Sequence, residues 1–173
     1  MSVYPITSKT ISYDHQGGTK SYHLHLIQAA NGNCVVINRW GKTGAIGEMK
    51  IEMFDSPVKA QRAFEKKETE KTRKGYRQNG PARETSAKDA SEVVKAVGNV
   101  YFNKMGATAV KHLDPSFDTS GMREMDGPQW DEEGNKLDSS RKVDPAAVRA
   151  AQLAAEKEAA EKAYSEHELF GRF

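Results

Sequence analysis

Val35-Val36-Ile37-Asn38-Arg39-Trp40-Gly41-Lys42-Thr43-Gly44-Ala45-Ile46-Gly47 reads as a strand that runs into a glycine-rich bend, with an aromatic ring and two cations at its rim. Val35 to Ile37 are apolar and β-branched, which suits a pleated, half-buried surface. Alternation places Val35, Ile37 and Arg39 on one face and Val36, Asn38 and Trp40 on the other. Gly41, Gly44 and Gly47 follow at spacing three, where a turning backbone with positive φ needs them. An indole at a strand end, flanked by Arg39 and Lys42, can stack on a base or sugar while the cations hold phosphate. A Trp in that position also serves as the lid of a core, and spaced glycines also mark an ordinary hairpin. The run is not a dinucleotide fingerprint, which needs a helix directly after it; Met49 to Phe54 alternates as another strand.

The flanks extend this into a meander. Tyr22, Leu24 and Leu26 alternate with His23 and His25, predicting a half-buried strand over 21–28 with a wet face. Ala29-Ala30-Asn31-Gly32-Asn33 supplies a hairpin signal, so strands are expected at 21–28, 34–40 and 48–54. Thr10 to Tyr13 reads as an edge strand and Asp14 to Gly18 as a turn. Ser56 as N-cap and Pro57 at the first helical position then open a helix. Ala60, Ala63 and Phe64 form its apolar stripe, with Lys66, Lys67, Glu70, Lys71, Arg73 and Lys74 on the opposite face. Gly75 closes it. Interleaved Glu65, Glu68 and Glu70 are the mark of a solvated face. The helix end is denser: Lys71, Arg73, Lys74, Tyr76 and Arg77 put four cations and an aromatic into seven residues.

At this point residues 20–77 resemble a WGR domain of the bacterial branch, related to that of poly(ADP-ribose) polymerases. The resemblance rests on Tyr22-His23-Leu24-His25-Leu26, on Arg39-Trp40-Gly41-Lys42-Thr43-Gly44 with Gly47, and on the helix end Glu70-Lys71-Thr72-Arg73-Lys74-Gly75-Tyr76. It implies an α+β fold, a mostly antiparallel sheet with one helix packed on it, here followed by C-terminal helices. In the polymerases the domain binds DNA at breaks, the motif Trp stacking on sugar and neighbouring polar and basic residues holding phosphates. Carried over, Trp40 is the stacking platform, and Arg39, Lys42, Lys50 and Tyr76 are backbone contacts. Lys71, Arg73, Lys74 and Arg77 join them from the helix end. The motif Arg is Lys42 here, which keeps a point charge but not a planar two-pronged grip.

Composition sets the limits. The 173 residues are 37% hydrophobic with a mean hydropathy of -0.75, low for a chain that packs along its whole length. No apolar run approaches the roughly 20 residues that span a bilayer, and the start lacks a signal-peptide core. A lone Cys34 forms no internal disulfide, so a reducing cytoplasm is expected. His23 and His25 point the same way but lack a nearby third ligand, so no metal site is expected. No nucleophile elbow, phosphate-binding loop or carboxylate pair is evident, so neither an enzyme nor a cofactor is expected. Net charge is +2, yet residues 1–83 carry +7 and residues 84–173 carry -5. A basic front half points to a polyanion partner.

We expect a WGR-like domain over 1–83, a helical extension over 84–113, an acidic linker over 114–143, and an Ala/Glu/Lys-rich helix with a tail over 144–173. Ser86 to Met105 reads as a helix capped by Ser86, broken at Gly106 and followed by a short helix to Leu113. In the linker, Trp130 and Leu137 flank Asp131-Glu132-Glu133-Gly134-Asn135 as a small hairpin or packing clip. The first functional expectation is a non-enzymatic protein that binds duplex backbone, ends or nicks without reading sequence. The alternative is an interaction adaptor that recruits a larger complex through its C-terminal helix and tail, the oligomeric state being open. A third is that the acidic half masks the basic face.

Overall fold

The computed structural model describes residues 2–137, together with Ala154 and Lys157. The expected helix over 144–166 and the tail over 167–173 otherwise lie outside the described residues. Strands β1 (Ile6–His15), β2 (Lys20–Ala29), β3 (Cys34–Lys42) and β4 (Glu48–Phe54) form an antiparallel meander. Helix α1 (Pro57–Arg73) follows, then β5 (Tyr76–Gln78) and β6 (Arg83–Ala87), then helices α2 (Ala90–Val97) and α3 (Asn99–Leu113). The sheet runs β4-β3-β2-β1 and continues past β1 on two short strands, β6 pairing with Ile6–Thr10 and β5 with Tyr13–His15. Every pairing is antiparallel, as expected for an α+β fold of this kind.

Both faces of the sheet are covered, which accounts for the unbroken burial of β3. Val35, Val36 and Ile37 are each at most 1% exposed although alternation sends them to opposite sides. On one side Leu24, Leu26, Val36 and Trp40 pack with Ala60 and Phe64 of α1. On the other, Ile27, Val35, Ile37 and Met49 pack under Val93, Val97, Phe102, Met105 and Val110 of α2 and α3. The face of β2 expected to be wet is therefore closed. His25 is fully buried and bonds Ser8 Oγ, while His23 Nδ1 bonds Ser12 Oγ at 2.8 Å. Strand β1 is longer than expected and is not an edge, because β5 and β6 pair with its outer side. Ser8 and Ser12, whose hydroxyls serve histidines, break the apolar alternation that would have marked its length.

Helix α1 begins and ends where expected, at Pro57 and before Gly75 with φ 84°, although Ser56 caps without a side-chain hydrogen bond. The single helix expected from Ser86 is two helices preceded by a strand. Ser86 pairs with Thr7 in β6, and Asp89 is the N-cap, accepting from Ser91 N at 2.9 Å. Gly98 at φ 97° separates α2 from α3, and Gly106 at φ 83° kinks α3. A Cβ at Gly106 would lie 2.9 Å from Met125 N, so the chain after α3 packs directly over the kink. Cys34 is buried, and burial pushes its thiol up to about 11.

Two measurable consequences follow from this packing. Burial and the nearby Arg83 charge lower His25 to about 3, and burial with Arg39 lowers His23 to about 4. The unfolded chain, titrating near 6.5, binds more protons between those values and 6.5, so stability falls as pH drops from 7 to 5. Fully buried His25 alone sets a slope of up to about 1.4 kcal/mol per pH unit. Urea midpoints of His25→Gln should fall less over that range; parallel curves for the two proteins would contradict the assignment. Gly47 has φ 72°, and a Cβ there would meet the Trp40 carbonyl oxygen at 2.1 Å. Gly47→Ala should lower thermal stability by about 1–3 kcal/mol, read as a melting shift by circular dichroism.

Candidate nucleic-acid interface

On the α1 side of the sheet, three aromatic rings from three strands gather near the end of α1. Tyr22 stands opposite Trp40 across β2 and β3, with ring centroids 6.3 Å apart and planes 13° from parallel. Tyr76 of β5 meets Tyr22 edge-on at 6.1 Å. The stripe that seats α1 on the sheet continues past its apolar part at helical spacing: Ala60, Phe64, Lys67, Lys71. Lys71 is 2% exposed, with Nζ 4.2 Å from the Tyr22 ring centroid and 5.7 Å from that of Tyr76. It does not share the solvated face on which the sequence reading put it.

A short segment from outside the sheet completes the site. Trp130 and Lys136 form an isolated antiparallel bridge, and Leu137 N donates to Gln129 O at 2.7 Å, the small hairpin expected of this segment. Its tip lies against the aromatic cluster. Trp40 Nε1 donates to the Asp131 carbonyl at 3.0 Å, and the Tyr22 hydroxyl donates to Glu132 Oε1 at 2.8 Å. Lys67 Nζ lies 3.0 Å from Glu132 Oε1, and Lys71 Nζ pairs with Glu132 Oε2. Lys74 bridges Glu70 at 2.9 Å and Glu133 at 3.2 Å. Gln129 N donates to Glu48 Oε2 at 2.9 Å at the other end of the hairpin. Between hairpin and sheet remains a cleft of about 460 Å³ lined by Lys20, Trp40, Lys42, Tyr76 and Trp130, among others.

The charges are tightly matched. Burial pushes the Glu132 carboxyl up, but hydrogen bonds from Lys71, Tyr22 and Lys67 outweigh it and hold the group below its usual range. Burial also opposes ionisation of Glu70, yet Lys74 and Lys67 bring it down to about 2. Burial and the Glu132 charge both raise the Tyr22 phenol, which stays a hydrogen-bond donor at all ordinary pH. What the arrangement does chemically is hold one anion: two ammonium groups and a phenol converge on a single carboxylate beside an indole.

The residues expected to contact DNA divide between the two sides of the sheet. Trp40, Lys42 and Tyr76 line the cleft, and Lys71 and Lys74 reach its edge through Glu132 and Glu133. The indole is not the open platform expected at the rim: it is 7% exposed, packs in the α1-side core and lies against the Tyr22 ring, and Tyr76 is 9% exposed. Lys50 pairs in register with Asn38 on the same side, and is engaged by Glu52 at 3.3 Å. Arg73 is exposed at the last turn of α1. Arg39 is not beside Trp40. Alternation turns it to the α2–α3 side, where its guanidinium lies 5.4 Å from the Tyr101 ring centroid and donates to Ile46 O at 3.2 Å. Arg77, exposed and next to inward-facing Tyr76, points to that side as well. Tyr22, Lys67 and Glu132 are contributors that the sequence reading missed. The i, i+4, i+7, i+11 spacing of Ala60, Phe64, Lys67 and Lys71 was the signal for the lysine.

Comparison with known proteins identifies the domain that supplies the sheet and helix side of this site. The model of the WGR domain matches residues 11–83. The protein mono-ADP-ribosyltransferase PARP3 of Homo sapiens is 39% identical over 57 residues, 33% of this chain and 11% of the relative. The chain thus spans about a tenth of that relative's length, and the likeness is confined to the WGR region. Strands β2 to β4, helix α1 and the aromatic cluster all fall within the matched span. Residues 11–83 are a WGR domain.

Proposed function

We propose that this protein is a non-enzymatic, sequence-independent binder of DNA that grips duplex backbone, at ends or nicks, through the Trp40 side of its WGR domain. The WGR domain is known in poly(ADP-ribose) polymerases as a nucleic-acid-binding module, which supports DNA as the partner. The observation that carries the reading is the anion already held there: Lys67, Lys71 and the Tyr22 hydroxyl converge on one carboxylate beside an indole. Phosphate oxygens suit the same donors. Trp40 supplies the stacking face, Lys42 and Lys74 flank it with point charges, and Tyr76 walls the cleft. Arg73 and Lys50 lie outside this set as peripheral charges on the approaching backbone. The excess of cations in residues 1–83 adds long-range attraction.

The reading is tested by mobility shift on blunt, nicked, overhanging, single-stranded and closed circular DNA across ionic strength. Four engaged lysines give a log–log salt slope of about -3 to -4 on duplex. Lys42→Gln, an exposed change, should weaken binding to all sequences alike and reduce the slope by about 0.9. Trp40→Ala should weaken binding by about 1–3 kcal/mol, most at ends and nicks. Affinity indifferent to ionic strength, or unaltered in Lys42→Gln, would overturn the proposal.

A further inference from the structure

Resting on the DNA-binding reading, we propose that residues 129–137 are an autoinhibitory strap, whose Glu132 and Glu133 occupy the phosphate positions of the site and must be displaced by DNA. The strap comes from beyond the WGR match, and Glu132 reaches back 61 residues to Lys71. Its contacts are those a polyanion makes. Glu132 holds Lys67, Lys71 and Tyr22, and Glu133 holds Lys74, all residues the proposed DNA contact uses or borders. The Asp131 carbonyl holds the indole N–H of the stacking residue.

The strap is built to leave. None of its side chains belongs to either hydrophobic core, and Trp130 and Leu137 remain 44% and 39% exposed. It is attached by ion pairs and hydrogen bonds; salt screens the exposed Lys74–Glu133 pair, while the buried Lys71–Glu132 pair yields to an anion that takes the carboxylate's place. Its fold is internally kept: Asp131 accepts from Asn135 N at 2.7 Å and Asn135 Nδ2 at 2.9 Å, so the hairpin can move as one piece. It also leaves unfilled the cleft between Trp130 and the Trp40 side, room in which an incoming strand begins the exchange. A carboxylate replaced by a phosphate leaves buried Lys71 paired throughout.

The full-length protein is compared with Glu132→Gln, the double variant Glu132→Gln/Glu133→Gln, and Asp126→Asn. Asp126 is exposed, lies just before the strap, and its replacement changes net charge as Glu132→Gln does. Affinity for nicked duplex, by fluorescence anisotropy at fixed salt, should tighten about tenfold in Glu132→Gln and further in the double variant, because the competent fraction rises. Asp126→Asn should change it less than about twofold, the general charge effect alone. Equal affinity of the parent and the double variant, with both binding DNA, overturns the strap and spares the DNA reading. Equal tightening by Asp126→Asn and Glu132→Gln does the same. Failure of all four proteins to bind DNA overturns both. A second readout is independent of affinity: DNA should raise proteolytic cleavage within 126–137 of the parent, and unchanged protection in the complex would contradict displacement.

Discussion

A lysine ammonium only 2% exposed is the demand around which this site is arranged. Lys71 ends the stripe by which α1 lies on the sheet, so the packing that seats the helix also drives its charge inward. An unpaired ammonium in such a place costs several kcal/mol. Two tyrosine faces offset part of that, at 4.2 and 5.7 Å, and the carboxylates of Glu132 and Glu70 offset more. The aromatic cluster, the helix end and the hairpin are therefore parts of one arrangement: an anion has to be there. Whether it comes from the chain or from a partner is a matter of competition.

The sheet determines which residues can take part. Neighbouring residues on a strand face opposite ways, so Arg39 and Trp40 cannot serve one ligand from one surface. With α2 and α3 over the far side, Arg39 lies over the Tyr101 ring and its Nε is buried with no hydrogen-bond partner among the described residues. The residue two positions past the indole-bearing one keeps the same side, and that is Lys42 at the rim of the cleft. A lysine there supplies charge without the bidentate geometry of arginine, which suits contact with backbone phosphate rather than reading of a particular group.

What could be read in the sequence was what local chemistry determines. Alternation in Tyr22–Leu26 and Val35–Trp40, and the Ser56-Pro57 and Gly75 boundaries, placed the meander and α1 correctly. Strand β1 was obscured because serines bonded to histidines, Ser8 and Ser12, interrupt the apolar pattern of Ile6, Ile11 and Tyr13. Ser86 and Asp89 are both good caps, and only pairing of Ser86 with Thr7 across the sheet decides between them. Lys67 and Lys71 looked solvated because charge is a stronger surface signal than spacing is a burial signal. The hairpin at 129–137 was foreshadowed by its flanking Trp130 and Leu137. Where it lands depends on contacts about 60 to 110 residues away, which no local pattern carries.

A strap of this kind also sets what can open the site. Being tethered, it competes at an effective concentration of the order of millimolar, without any loss of translational freedom. A single free phosphate gains only what one carboxylate gives up, and so has no advantage. A duplex brings phosphates for Lys42, Lys67, Lys71 and Lys74 together and releases the counterions condensed on them, a gain that two adjacent glutamates cannot match. A strap holding few charges on a site that accepts many thus discriminates by ligand length: mononucleotides and inorganic anions are turned away while a polyanion is admitted. On the proposed reading, preference for DNA over small phosphates needs no base contact, only the difference in length between the two anions.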